Sequence, residues 1–452
     1  MIKRTHLNSI NVAPYDNDDS SPETTRLIDD SPVGSDTSLK KLEDVGTNSV
    51  PWTYVLIFKG YVGAGILGMG FAAQNGKFLP SNIGLAAITA LALYCVMLLC
   101  RVHDHVGQSV TSLEDIAFVV ASSFSQKFGR ISRLTVKTII SYTQIGFSTA
   151  YIIFIAQNMC LMTDIAWRWF VLILFIPCLL SCFITKLKVL APFAFFGSIC
   201  ILVGLAVVLW FCLVEKRSQF EESLNKETLL AFDYTTLPIW FGIVVYAFEG
   251  IGLVVPMRKA MQQPDKFLKT MSISYVLLAI LFGTFSSITM LTFREETKQI
   301  VLSNLPTMGR LDWLASSVRI AVSVALFFTF NLQLFPVIEI FENALLSPAT
   351  PGLVWKRRGV RTALVVVCCA LASFVPHFGL FISLIGNLGA SLLMFILPAM
   401  LHLACFWSSA HPMRKAFHFL IILFGVVATA IGTARTVDEL IHAASDHALC
   451  SG

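Results

Sequence analysis

The chain has 452 residues, of which 56% are hydrophobic and only 13% are charged, and its formal net charge is +5. Soluble globular proteins contain about 25% charged residues, so this composition excludes a soluble protein of this size and requires that much apolar surface face lipid. The 11 cysteines lie nearly all within apolar runs and show no C-x-x-C spacing. We interpret them as small buried hydrophobic residues rather than metal ligands.

The first 50 residues differ from the rest because they are rich in Asp, Ser and Thr and poor in large apolar residues. This composition predicts a disordered cytosolic tail over residues 1–50. The tail lacks the basic start, apolar core and cleavage site of a signal peptide, so the first span should act as the insertion signal. Glu23, Leu27 and Ile28 form an acidic dileucine pattern, which clathrin adaptors recognise as a sorting motif. An inert tail is the alternative.

Windows of about 20 apolar residues predict an all-α polytopic membrane protein with about eleven transmembrane helices. The windows lie near residues 52–74, 81–100, 134–162, 167–185, 188–214, 237–256, 268–292, 312–340, 361–377, 379–406 and 416–435. If the tail lies in the cytosol, the loops rich in Lys and Arg lie on the cytosolic side of the membrane. The net acidic loop from Glu215 to Asp233 then lies on the opposite side. This distribution satisfies the positive-inside rule. An odd number of helices places residues 437–452 outside the cell or in a lumen.

Glycines at positions 63, 65, 68 and 70 interrupt the first predicted span. Each glycine costs a helix about 0.5 to 1 kcal/mol relative to alanine, so the cluster requires a compensating role. Three roles compete: close packing through small residues, a nucleotide-binding turn, and an unwound helix that holds a solute. The nucleotide-binding turn fails, because a second apolar span follows where a βαβ unit is required.

A second break is predicted in the sixth span, where Glu249 is followed by Gly250 and Gly252, and Pro256 closes the apolar run. A carboxylate at membrane depth costs a few kcal/mol and therefore indicates a functional site. If the first five spans and the next five are inverted halves, the first and sixth spans are counterparts, and both are broken. This pairing favours a solute site at the membrane midplane over simple packing.

Such a site is complementary to an amino acid zwitterion, because half-helix N-termini present free N–H groups and half-helix C-termini present free carbonyls. We expect the carboxylate near Gly65 and Ile66, and the ammonium near the carbonyls of Val62 and Phe248. A small neutral side chain is the easiest to accommodate beside Glu249. The predicted substrate-binding residues are Val62, Gly63, Ala64, Gly65, Ile66, Phe248, Glu249, Gly250 and Ile251.

Four polar residues in other spans, Tyr142, Gln144, Asn331 and Gln333, are compatible with two roles. They can face the solute site, or they can join helices through hydrogen bonds. No convergent nucleophile and base, metal-ligand set or pore-lining charged ring is evident in the spans, which argues against an enzyme or a channel. We therefore predict no catalytic residue, metal, cofactor or nucleic-acid partner.

Two stretches carry a resemblance to a known family. Residues 58–68 read FKGYVGAGILG, which is similar to the family sequence LKGNIGTGLLG. Residues 247–252 read AFEGIG, which is identical to the family's sequence at the corresponding stretch. With further matches such as FISLIG at residues 381–386, the chain resembles the amino acid/auxin permease superfamily, and within it the proton-coupled amino acid transporters. The resemblance covers about residues 52–441 and implies carriage of small neutral amino acids with protons.

The resemblance also implies a LeuT-like 5+5 inverted repeat plus one helix. The corresponding segments are the first repeat over residues 51–214, a luminal or extracellular loop over 215–236, the second repeat over 237–407, and an eleventh helix over 408–436. The cysteines that form an extracellular disulfide in some members have no evident counterpart here. The lipid bilayer, protons and small neutral amino acids are the partners that this architecture implies.

Two positions depart from the subfamily pattern. Leu56 stands where a histidine is usual, and Arg258 stands where an acidic residue is usual. Glu249 becomes the candidate proton-coupling residue, while a facilitator or a non-transporting amino acid sensor in the lysosomal membrane remain alternatives. The tail motif favours a lysosomal or late endosomal membrane over the plasma membrane, and an acidic lumen would supply a proton gradient toward the cytosol.

Overall fold

The computed structural model describes residues 46–107, 110–163, 165–184, 187–347, 352–375 and 377–445. Glu23, Leu27 and Ile28 lie outside the described residues. The α-helices of the described residues, in chain order, are α1 (Val50–Tyr61), α2 (Ala64–Leu67), α3 (Met69–Gly76), α4 (Phe78–Val106), α5 (Leu113–Ser122), α6 (Gln126–Cys160), α7 (Trp167–Cys182), α8 (Leu187–Trp210), α9 (Arg217–Glu222), α10 (Lys226–Leu230), α11 (Leu237–Ala247), α12 (Ile251–Ala260), α13 (Phe267–Phe293), α14 (Asp312–Leu345), α15 (Leu353–Phe374), α16 (Phe378–Ile385), α17 (Leu397–Phe406) and α18 (Pro412–Ser445). The predicted all-α class is confirmed.

Eight segments within the described ranges are long and apolar enough to cross a bilayer. They comprise α4, α6, most of α8, α11 with α12, α13, α14, α16 with α17, and α18. The other predicted spans correspond to the broken first segment, to the shorter apolar helix α7, and to α15, whose first turns carry several basic residues. The total of eleven spans therefore stays a prediction.

Both predicted helix breaks are present. In the first span α1 ends at Tyr61 and α2 begins at Ala64, with Val62 and Gly63 between them outside helical geometry. The N–H of Val62 still donates to the carbonyl of Phe58 at 2.8 Å, which closes the last turn of α1. In the sixth span α11 ends at Ala247 and α12 begins at Ile251. The apolar windows thus contain four half-helices instead of two continuous ones.

The two broken segments meet in the interior of the helix bundle. A Cβ atom added at Gly65 would lie 2.8 Å from the Cα of Ala247, so α2 and the end of α11 approach backbone to backbone. α11 also contacts the segment after α16, where a Cβ at Gly386 would clash with the carbonyl oxygen of Gly242. Small residues on both contacting surfaces allow the backbones to approach this closely, as is usual for helices packed within a membrane.

Continuous helices surround the broken ones. α6 and α14 contain 35 and 34 residues and pack against one another. On the opposite side, α13 contacts α1 through Tyr61 and Tyr275, whose hydroxyl oxygens are 2.9 Å apart. The breaks are therefore enclosed by three long helices, of which only α14 carries an internal proline, Pro336.

The interpretation of the cysteines requires one correction. Cys160 is disulfide-bonded, whereas the nine other cysteines within the described ranges are free; Cys450 lies outside those ranges. Cys160 is the last residue of α6. A sulfur at the end of a helix can reach an aqueous loop region, while cysteines in the middle of apolar helices remain small packed residues, as predicted.

Candidate functional site

A single cavity of about 640 Å³ touches both helix breaks. Gly63, Ala64 and Gly65 line it from the first break, and Glu249 and Gly250 line it from the second. These five of the nine predicted substrate-binding residues are therefore brought to one surface. The two breaks are almost 190 residues apart in the sequence. Their proximity in space depends on how the first and sixth spans pack and is not evident from either stretch alone.

The remaining predicted residues, Val62, Ile66, Phe248 and Ile251, are buried in the surrounding apolar core. Phe248 packs its ring against those of Tyr275 and Phe282, at centroid distances of 5.9 and 5.2 Å. These side chains shape the breaks from the protein side. They hold the non-helical backbone in place by apolar burial.

Glycines at the breaks serve two different purposes. A Cβ at Gly250 would lie 2.5 Å from the hydroxyl oxygen of Tyr61, so Gly250, like Gly65, permits close packing against protein. A Cβ at Gly63 would make only ordinary contact, 3.5 Å from the hydroxyl oxygen of Tyr151, and at Gly252 no atom lies within 4 Å. Both packing and open space against bare backbone are therefore present, at different positions.

Glu249 lies in the non-helical stretch between α11 and α12 and lines the cavity with 8% of its surface exposed. Its N–H points back to the carbonyl of Tyr246 at 3.4 Å, which orients the stretch. Glu249 is therefore a buried carboxyl group that borders the cavity. Its placement is the one expected of a group that binds an ammonium or carries a proton.

Aromatic side chains form the walls beside the breaks. Phe147 and Tyr246 meet edge to face with ring centroids 4.4 Å apart, and Tyr61 and Tyr151 complete the lining. Sequence reasoning missed Tyr61, Phe147 and Tyr151 as site residues. Gln144, Phe147 and Tyr151 recur at three- and four-residue spacing, which places them on one face of α6 and could have identified that face.

The four polar residues that could either face the solute site or join helices differ in their surroundings. Gln144 and Gln333 line the cavity and hydrogen-bond to one another. Asn331 instead donates to the carbonyls of Ser181 and Ile184, at 2.7 and 3.3 Å, and so joins α14 to the end of α7. Tyr142 packs beside Gly389. Two of the four therefore belong to the candidate site.

The cavity extends from the breaks to the end of the bundle where α5 begins. Its rim includes Ser112, Asp115 and Arg133. Ser112 caps α5 by accepting a hydrogen bond from the N–H of Asp115 at 3.2 Å, and Asp115 forms an ion pair with Arg133 at 2.9 Å. A serine followed by acidic residues stabilises a helix start, so the local sequence of α5 also builds the mouth of the cavity.

Arg258, one of the two departures from the subfamily pattern, lies outside the cavity lining described above. Its guanidinium group forms an ion pair with Asp104 at 2.8 Å and donates to the carbonyl of Cys100 at 3.2 Å. The side chain therefore ties the end of α12 to α4. Because Asp104 pairs with the Arg258 side chain, the chain tolerates a basic residue where the subfamily usually has an acidic one.

Comparison with known proteins identifies the family. A family model described as "Transmembrane amino acid transporter protein" matches residues 46–437. The chain belongs to this family. It is 30% identical over 412 residues to "Amino acid transporter AVT3A" of Arabidopsis thaliana, covering 87% of this chain and 90% of that protein. It is also 28% identical over 398 residues to "Amino acid transporter ANT1" of the same plant, covering 83% and 89%.

Solved structures with the same fold include "Inward facing conformation of Mhp1", with a TM-score of 0.54 at 13% identity over 88% of this chain and 90% of that one. The structure titled "Crystal structure of MhsT in complex with L-phenylalanine" matches with a TM-score of 0.50 at 12% identity over 87% and 99%. The family model confirms the resemblance to the superfamily, and the solved structures confirm the LeuT-like fold. This member of an amino acid transporter family is a multi-pass membrane protein and not an enzyme.

Proposed function

We propose that this protein carries small neutral amino acids across a membrane together with protons, and that the unwound segments of the first and sixth spans hold the substrate. The observation that carries the proposal is the single cavity lined by Gly63, Ala64 and Gly65 on one side and by Glu249 and Gly250 on the other. Backbone polar groups freed by the breaks offer partners to both charged ends of an amino acid.

The architecture behind this proposal is a pair of inverted halves, residues 51–214 and 237–407, joined by the loop over 215–236 and followed by an eleventh helix over 408–436. In each half the first helix is the broken one. With the N-terminal tail in the cytosol, the mouth at Ser112 and Asp115 faces the cytosol, and the cavity represents the state that releases substrate there. Glu249 is the group that we propose takes up and releases the coupled proton.

Flux into proteoliposomes tests this function. Purified full-length protein should carry labelled glycine, alanine and proline, and a proton gradient directed along the flux should stimulate it. Equal uptake with and without the gradient would identify a facilitator instead. Binding of the same amino acids without any flux would identify a non-transporting sensor. Either result would overturn the symport proposal.

We also propose residence in the lysosomal or late endosomal membrane, based on the acidic dileucine pattern at Glu23, Leu27 and Ile28. In the sequence the motif precedes the first predicted span by some two dozen residues, which is enough chain to separate an adaptor from the membrane surface. Replacing Leu27 and Ile28 together with alanine should shift a tagged protein to the cell surface. Fluorescence microscopy measures the shift, and an unchanged distribution would refute the sorting role.

A further inference from the structure

A pair of glutamines forms part of the cavity wall between the helix breaks and the mouth. Gln144 belongs to α6 and Gln333 to α14, and the Nε2 of Gln333 donates a hydrogen bond to the Oε1 of Gln144. Both residues lie well inside long continuous helices. Side chains on such elements are positioned more accurately than side chains on loops or breaks.

The pairing leaves hydrogen-bonding capacity directed at the cavity. An amide side chain offers two N–H donors and one carbonyl acceptor, and the bond between the glutamines uses one N–H and one oxygen. The Oε1 of Gln333 and the Nε2 of Gln144 have no partner among the described residues, and neither is enclosed by protein. If both amide assignments were exchanged, one acceptor and one donor would still remain. The pair therefore presents an acceptor beside a donor.

The pair lies at some distance from the first helix break. Tyr151 marks the level of the break, because its hydroxyl oxygen is 3.5 Å from the Cβ position of Gly63. The Cα of Gln144 precedes that of Tyr151 by two helical turns, or about 10 Å along α6, and the side chain of Tyr151 spans part of this rise because helical side chains lean toward the N-terminus. Phe147 lies between them and packs edge to face on Tyr246. A substrate anchored at the breaks reaches the glutamines by extending its side chain along α6 past these two rings.

Taken together with the proposed function, on which this inference rests, these features define a side-chain subsite. We propose that Gln144 and Gln333 select neutral amino acids whose side chain ends in a carboxamide, with glutamine preferred to asparagine because of its greater reach. A carboxamide satisfies the acceptor and the donor together. This extends the substrate class beyond small side chains, in keeping with a cavity of about 640 Å³.

The same arrangement discriminates against charged side chains of equal length. A carboxylate offers only acceptors and leaves the free oxygen of the pair unpaired, whereas an ammonium offers only donors and leaves the free N–H unpaired. A polar group left unpaired where the bound substrate excludes water is costly, so sites built for hydrogen bonding reject analogues that cannot complete the pattern. An apolar side chain such as that of methionine leaves both groups unpaired.

The test is uptake of labelled glutamine and alanine by the full-length protein in proteoliposomes. Gln144→Met and Gln333→Met preserve side-chain length while removing the amide. Each should lower the ratio of glutamine to alanine uptake about tenfold, the usual effect of one lost hydrogen bond at a binding site. Thr329→Val is the matched control, because Thr329 lies one turn earlier on α14 and its hydroxyl donates to carbonyls of its own helix at 2.7 and 3.1 Å.

The possible outcomes separate this inference from the proposed function. If the wild-type protein carries no amino acid, the proposed function itself fails. If the wild type carries alanine but not glutamine, the subsite is refuted while transport stands. If both glutamine variants lose glutamine and alanine uptake in equal proportion, the pair only joins α6 to α14, and the subsite is again refuted.

Discussion

Gly65→Val is expected to abolish amino acid uptake and to lower the thermal stability of the purified protein. A Cβ at this position would lie 2.8 Å from the Cα and 3.0 Å from the Cβ of Ala247. Because one of these atoms belongs to the backbone, the steric clash can be relieved only if α2 and α11 move apart. This movement would distort the first and the second helix break together. Overpacking of this kind costs about 1–3 kcal/mol or more. Uptake into proteoliposomes and thermal unfolding in detergent measure the two effects.

Gly252→Ala is the matched control for that variant. Gly252 lines the same cavity, but no atom lies within 4 Å of the added Cβ, so stability should be close to that of the wild type. Gly63→Ala provides an intermediate case, since its Cβ meets only the hydroxyl of Tyr151 at 3.5 Å. Uptake by Gly65→Val at the wild-type rate would show that the close approach of α2 to α11 is not required.

The positions of both helix breaks could be predicted from the sequence because glycine is costly inside an apolar helix. A cluster of glycines within one window, and Glu249 with Gly250 in another, left few alternatives to unwinding. The depth of Glu249 followed from the same windows. These predictions depend only on the composition of single segments, which is why they did not require the fold.

The purpose of each glycine could not be predicted in the same way. Gly63 and Gly65 are two residues apart in one apolar run, yet Gly63 faces open cavity and Gly65 faces the backbone of another span. Asn331 and Gln333 show the same difficulty on α14, where one joins helices and the other lines the cavity. A helix that is apolar on most sides carries no periodic signal for its orientation, so its faces are distinguished only by its neighbours.

The disulfide at Cys160 lies beyond sequence reasoning for a related reason. Pairing of cysteines depends on which residues the fold brings together, and the cysteine count alone leaves many connectivities.

The aromatic walls of the cavity were missed because Tyr61 and Phe147 are ordinary residues in apolar helices. They become recognisable as lining once both breaks are placed side by side.

Glu249→Gln is expected to remove the coupling between proton gradient and substrate accumulation. For symport of one proton per substrate, each unit of pH difference supports about a tenfold accumulation at equilibrium, because one pH unit is worth about 1.36 kcal/mol. Protons run from the acidic to the neutral compartment, so substrate accumulates on the neutral side. Glutamine keeps the shape of the protonated carboxyl group but cannot release a proton, so the accumulation ratio should fall to about one.

Glu339→Gln is the control for this substitution, because Glu339 lines the exposed mouth of the same cavity on the continuous helix α14. Its loss should leave accumulation close to that of the wild type. Exchange of labelled for unlabelled substrate should survive in Glu249→Gln, since exchange requires binding and reorientation but no net proton movement. If Glu249→Gln still accumulates substrate along a proton gradient, another group carries the proton, and Glu249 serves to bind the ammonium group or to stabilise the break.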